Sequence, residues 1–217
     1  MINMENVSAC YPCGFKALQQ IDFSLSRGEM IFISGDSGAG KSTFLKVIGA
    51  SLPIKTGRIQ VNGQNIRDMS AKDLAVYRSS LGFIPQRPLL VTYRTVFENV
   101  AIPLQIQGIS LKAMQKRVHA VLDRVGLLHK EHHFPVTLSY AEQQRACIAR
   151  AIVHYPKLVL ADEPIAALDT CYSEEVMTLF EQMREAGISI VIAMHDIPLP
   201  KKNKHAVVTL NKGEIKC

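Results

Sequence analysis

Residues 35–42 read GDSGAGKS, set between an apolar run, MIFIS (30–34), and a helix-forming run, TFLKVIGA (43–50). The pattern GxxxxGK[ST] arises by chance in roughly one chain of this length in a hundred, and less often with a strand before it and a helix after it. Gly35, Gly38 and Gly40 let the main chain curl close to a bound phosphate. Lys41 adds a fixed positive charge, and the Ser42 hydroxyl is a ligand suited to a hard cation. Asp36, Ser37, Ala39 and Thr43 supply the remaining main-chain positions of this phosphate-binding loop.

Working outward, LGFIP (81–85), LVLAD (158–162) and IVIAM (190–194) are further short, continuous apolar runs. Such runs fit strands buried on both faces of a mostly parallel sheet. Between them apolar residues recur at helical spacing, as in Leu111, Met114, Val118, Val121, Leu122 and Val125, with Gly126 placed to stop that helix. Tyr172, Val176, Leu179, Phe180 and Met183 repeat in the same way. Strands separated by helices predict an α/β sheet with right-handed crossovers. GRIQVNG (57–63) instead alternates with period two, as do MINMENVSA and IDFSL, which predicts a small antiparallel β subdomain. Residues 88–153 carry helix signals only, so a helical subdomain is expected there, with 1–87 and 154–217 forming the core of a single domain. The expected fold is an α/β P-loop NTPase.

Composition sets the outer bounds. A chain of 217 residues with 47% hydrophobic and 20% charged content has enough apolar material for one sizeable core, which excludes disorder. The formal charge of +6 is compatible with nucleic acid, an anionic membrane face or a polyphosphate, so charge alone does not choose. Lys201, Lys202 and Lys204 form the one basic cluster and read as a solvated loop, with contact to anionic lipid as the alternative. Five cysteines without paired metal spacing, behind a polar start, point to a reduced, cytosolic protein; the CxxC of Cys10 and Cys13 is only half a zinc site. No apolar stretch approaches the eighteen or so residues of a membrane span, so any membrane role needs another chain.

A phosphate loop that binds a metal–nucleotide needs a carboxylate at the end of a neighbouring strand. LVLADEP offers Asp162 for the metal and Glu163, one residue on, for the attacking water. Gln86 and His195 end the other two buried runs and emerge on the same sheet edge, since ligands bind outside the carboxyl ends of parallel strands. Gln86 is placed to reach the metal or the water, and His195 the γ-phosphate. A fourth element, LSYAEQQR (138–145), reads as a helix start, with Ser139 as cap and Glu142 completing a capping box.

In this order the motifs resemble those of the ATP-binding subunits of ABC transporters, over essentially the whole chain. Tyr11 matches the aromatic that stacks on adenine, GDSGAGKS the Walker A loop, Gln86 the Q-loop and LSYAEQQR the signature. LVLADE matches the Walker B strand, ALD (167–169) the D-loop and His195 the switch histidine. Within the family, TVFENVAIPLQIQG (95–108), VGLL (125–128), FP (134–135), IARAI (148–152) and MHDIPL (194–199) are similar to the FtsE-type cell-division subunits. Lipoprotein-release and macrolide-export subunits share much of this pattern. The resemblance implies an ATPase that uses ATP and Mg2+, with Ser42, Gln86 and Asp162 at the metal and Glu163 and His195 in catalysis. It also implies a homodimer closed by ATP, in which Ser139, Tyr140, Ala141 and Glu142 of one copy face the nucleotide of the other. An FtsX-like integral membrane partner, a peripheral place on the cytoplasmic face of the inner membrane and no nucleic-acid partner follow from it as well.

The sequence departs from the family at the signature, LSYAE in place of LSGGE, and at Ile165, where threonine is usual. If the main chain at 140 or 141 needs positive φ, a non-glycine costs on the order of 1 kcal/mol, and a tyrosine beside the contact either turns away or obstructs closure. The expected outcome is a working but slow ATPase. Three alternatives stay open: an ATP-binding docking module with little hydrolysis, the ATPase subunit of a lipoprotein-release or macrolide-export transporter, and a DNA-acting ATPase, for which no long coiled-coil or zinc insertion is visible.

Overall fold

Alternate residues of each central strand enter two different cores. In the computed structural model, which describes residues 1–166, 168–195 and 205–216, β3 (Met30–Ser34) sends Met30 and Phe32 to one side of a sheet and Ile31 and Ile33 to the other. The period-two geometry of a strand gives two faces, and here both are apolar and buried, which is why the run shows no polar alternation. β7 (Leu158–Asp162) and β8 (Ser189–Ala193) divide in the same way, Val159, Ala161, Ile190 and Ile192 against Leu158, Leu160, Val191 and Ala193.

The N-terminal part forms a four-stranded antiparallel sheet of β1 (Ile2–Cys10), β2 (Lys16–Leu25), β4 (Thr56–Val61) and the short β5 (Gln64–Asn65), in the order β2-β1-β4-β5. The six-stranded sheet adds β6 (Leu81–Ile84), β9 (Ala206–Asn211) and β10 (Glu214–Lys216), in the order β10-β9-β3-β8-β7-β6. Every neighbouring pair in it is parallel except the terminal hairpin of β9 and β10. One face is covered by α1 (Lys41–Ile48) and the antiparallel sheet, together with the flanking α2 (Ala71–Ser79). The other is covered by α3 (Val96–Ile106), α4 (Leu111–Arg124), α5 (Tyr140–Ile152) and α6 (Thr170–Glu185).

The predicted α/β class and its mostly parallel sheet are observed, with differences at the margins. β2 begins five residues before IDFSL, because Ala17 and Leu18 are already buried, Leu18 in the same core as Ile21. The β9–β10 hairpin, absent from the sequence reading, pairs with β3 and leaves much of AVVTLN half-exposed, so no continuous apolar run marks it. α2 buries no residue and is fixed at its start by a capping box between Ser70 and Asp73, a polar signal without an apolar stripe. Ile165 is buried in the core beneath the helices, a packing role that accounts for an apolar residue there. Ala167, most of MHDIPL and the Lys201, Lys202 and Lys204 cluster lie outside the described residues.

α1 is seated by Phe44, fully buried and edge-on to Phe23 with ring centroids 5.0 Å apart. Phe44→Ala is expected to cost about 3–5 kcal/mol, the usual range for emptying an aromatic site in a core. Urea denaturation followed by circular dichroism checks this, the chain having no tryptophan to report on unfolding.

Candidate functional site

Adjacent strands β3, β8, β7 and β6 run parallel, so their carboxyl ends deliver four sequence segments to one edge. From β3 comes the phosphate loop, which enters α1 at Lys41 and thus points the positive end of a helix at whatever the loop holds. Gly35 and Gly40 have φ of 146° and 108°, and a Cβ at either would lie 2.3 Å from the Leu210 carbonyl or 2.7 Å from that of Ala17. Glycine is therefore obligatory at both. Lys41, buried, donates from Nζ to the carbonyls of Gly35 (2.6 Å) and Asp36 (3.1 Å), which holds the ammonium over the loop. Tyr11, in the turn after β1, meets Thr43 through their hydroxyls at 3.1 Å, placing the predicted adenine-stacking ring at the mouth of the loop.

β7 ends on the two acids. Burial pushes the carboxyl of Asp162 above its usual range, opposed by the Ser42 hydroxyl, reinforced by the charge of Glu163 and opposed again by Lys41 and Lys46. Its Oδ1 is buried with no hydrogen-bond partner among the described residues. A carboxylate so placed beside a serine hydroxyl fits a Mg2+ ion, which takes few protein ligands and draws the rest from phosphate and water. Among the described residues no group of three or more His, Cys, Asp or Glu converges to hold a metal on its own.

Glu163 has a left-handed backbone, φ 45°, and its N–H is tied to the Ala193 carbonyl at 2.8 Å. A non-glycine residue there costs on the order of 1 kcal/mol, a strain of the kind found at functional sites. Its Oε2 accepts from the Gln86 side-chain amide at 3.0 Å, which links the Q-loop residue to the carboxylate. His195 follows β8 and is exposed at the same edge.

The signature answers the question of its missing glycines in part. Ser139 caps α5, accepting from Glu142 N–H at 3.3 Å, while Glu142 Oε2 accepts from Ser139 N–H at 2.9 Å. Tyr140 and Ala141 open the helix, and neither has positive φ, so the anticipated main-chain cost is absent. The Tyr140 ring, half-exposed, donates its hydroxyl to the Gln86 carbonyl at 3.2 Å. The sequence reading missed this contact and three others around it. Lys130 Nζ donates to Glu142 Oε1 at 2.6 Å, Gln144 Nε2 to the Pro85 carbonyl at 3.2 Å, and Arg145 Nη1 to the Val125 carbonyl at 2.9 Å. The Arg145 guanidinium also stacks 3.9 Å over the Tyr172 ring. EQQR (142–145) was legible as a motif, but nothing in sequence order announces its partners.

The sequence profile of the ABC transporter family matches residues 18–166. The chain belongs to the ABC transporter family. This ABC protein is 43% identical over 215 residues to the cell division ATP-binding protein FtsE of Escherichia coli K12, covering 99% of this chain and 97% of that one. It is 42% identical to FtsE of Haemophilus influenzae over 217 residues, with all of both chains covered, and 40% identical to that of Bacillus subtilis over 99% and 94%. Among solved structures it superposes with a TM-score of 0.93, at 31% identity over 100% of this chain and 97% of the other, on the dimeric cassette MJ0796 in a post-hydrolysis state bound to ADP and phosphate.

In this ABC protein the signature loop has a charge of its own to test. The Lys130 ammonium, foremost, and the Ser139 N–H hold Glu142 down at about 2, against burial and an ordinary 4.5. A carboxylate depressed on folding stabilises above its unfolded pKa and loses that contribution as pH falls through the folded one. Lys130→Met should therefore lower stability at pH 7 by about 1 kcal/mol, and the gap to the unmodified chain should close between roughly pH 4.5 and 2. Urea melts across that pH range check it.

Proposed function

We propose that this chain is the ATP-binding and hydrolysing subunit of an FtsE-type cell-division complex, working as an ATP-closed pair on an FtsX-like integral membrane partner. The observation that carries the reading is the convergence of Lys41, Ser42, Asp162, Glu163, Gln86 and His195 at the ends of four adjacent parallel strands. The near full-length identity to FtsE proteins supports the choice of subfamily.

In this reading the loop amides and Lys41 hold the β- and γ-phosphates, and Tyr11 carries the adenine. Ser42 and Asp162 would hold Mg2+, with Gln86 in reach of the site; when bound, the ion neutralises charge on the phosphate oxygens. Glu163 orients the attacking water and takes its proton, and His195 contacts the γ-phosphate. The first turn of α5 in a second copy, Ser139 to Glu142, presents N–H donors to that phosphate from the opposite side. Because the triphosphate is gripped from both copies, the closed pair is favoured with ATP and released after cleavage, a population shift by differential binding.

No helix among the described residues is long and apolar enough to cross a membrane. The likeness to FtsE proteins supports a peripheral place on the cytoplasmic face of the inner membrane. The partner is proposed to dock beside the Q-loop strand β6, where the exposed Ile106 and Phe83 line a groove of about 260 Å³ with Ile102, Pro103 and His154. An exposed apolar cluster of this kind marks an interaction surface.

Glu163→Gln in the complex purified from membranes is the test. ATP hydrolysis should fall at least a hundredfold or so, with ATP binding retained, as for loss of a general base. Hydrolysis at the unmodified rate would overturn the assignment.

A further inference from the structure

Two residues of α5 one turn apart, Tyr140 and Gln144, grip consecutive carbonyls of the segment that follows β6. Gln144, fully buried, donates to Pro85, and Tyr140, half-exposed, donates to Gln86. Residues four apart on a helix share a face, so the pair forms one clasp with an inner and an outer tooth. The Gln86 side chain then continues the line by donating to Glu163 Oε2. The tyrosine that replaces the first signature glycine is in this way two hydrogen bonds from the carboxylate assigned to the water.

We infer that Tyr140 is a positioning residue that slows the reaction from within its own chain: its hydroxyl holds Gln86 so that the Gln86 amide occupies the Glu163 oxygen to which water must donate. The inference rests on the ATPase reading and extends it to a side chain that the family's motif does not contain. A glycine at 140 has no atom to reach the carbonyl, so the clasp would keep only its buried tooth. The effect is exerted through Gln86 and Glu163, which sit on the chain's own nucleotide edge. It is separate from any contact that the main chain of 140 and 141 makes across a pair. The hydroxyl, and not the bulk of the ring, is the active part, and this distinguishes the device from simple obstruction.

A hydrogen bond between partly exposed neutral groups shifts the balance between held and released forms by about two- to tenfold. Tyr140→Phe keeps the ring and deletes the hydroxyl. In the purified membrane complex it should raise kcat for ATP two- to tenfold, leaving KM within about twofold, and Tyr140→Gly should raise kcat at least as far. In the purified chain without nucleotide, the Gln86 side-chain amide protons should exchange with water two- to tenfold faster in Tyr140→Phe, as read by NMR. An unchanged exchange rate overturns the inference, and so does a kcat that stays level or falls in Tyr140→Phe. A rise in Tyr140→Gly alone would assign the slowing to ring bulk and overturn it equally. Glu163→Gln run beside these variants keeps the two readings apart. If it hydrolyses ATP like the unmodified complex, the assignment of Glu163 to the water fails, and if the unmodified complex itself hydrolyses no ATP the ATPase reading fails, while the exchange measurement still decides the clasp.

Discussion

Everything at the nucleotide edge depends on strands that are apolar on both faces lying parallel and in register. Parallel pairing forces each connection to cross over the sheet, so all four strands end at the same edge. The register is strict because a shift of one residue would exchange the two buried faces. Phe32, for example, would move from the core under the helices to the one that holds Phe44. The price of that arrangement falls on the connections. Gly35 must pass within 2.3 Å, measured from a hypothetical Cβ, of the Leu210 carbonyl, so the loop and the strand pair β3–β9 fix each other.

How much of this was readable in the sequence divides along physical lines. The buried strands, the phosphate loop and the paired acids are local signals, and they appear where the apolar runs and motif spacing place them. α4 and α6 are likewise set by helical periodicity, and α4 stops at Gly126, which takes positive φ. Strand order is not local: nothing in LVLAD says that it lies between β6 and β8. The C-terminal hairpin escaped because its strands are half-exposed and mixed in polarity. At the site, the roles inferred for Lys41, Ser42 and Asp162 follow from chemical type and spacing. The bonds made by Tyr140, Lys130 and Gln144 join residues 12 to 59 positions apart and exist only once the helices are packed.

The signature loop shows how a motif can change residues and keep its geometry. Its main chain is an ordinary capped helix start, so a side chain at 140 or 141 strains nothing within the chain. The capping box also gives Glu142 two duties, satisfying the Ser139 N–H and receiving the Lys130 ammonium. Both duties stiffen the first turn of α5, the place where free helix N–H groups are presented to an anion. Substitutions that leave this box intact can therefore be absorbed, and what they alter is decided by where the new side chain turns.

Glu163 sets comfort against competence. Its left-handed backbone is one that glycine adopts freely and asparagine tolerates, so the replacements that would relax the fold there are those that delete the carboxylate. A library of this chain sorted only for heat resistance would accordingly drift toward survivors that lack the carboxylate proposed to activate the water. Screens aimed at a more robust variant of this protein need a turnover readout alongside the thermal one.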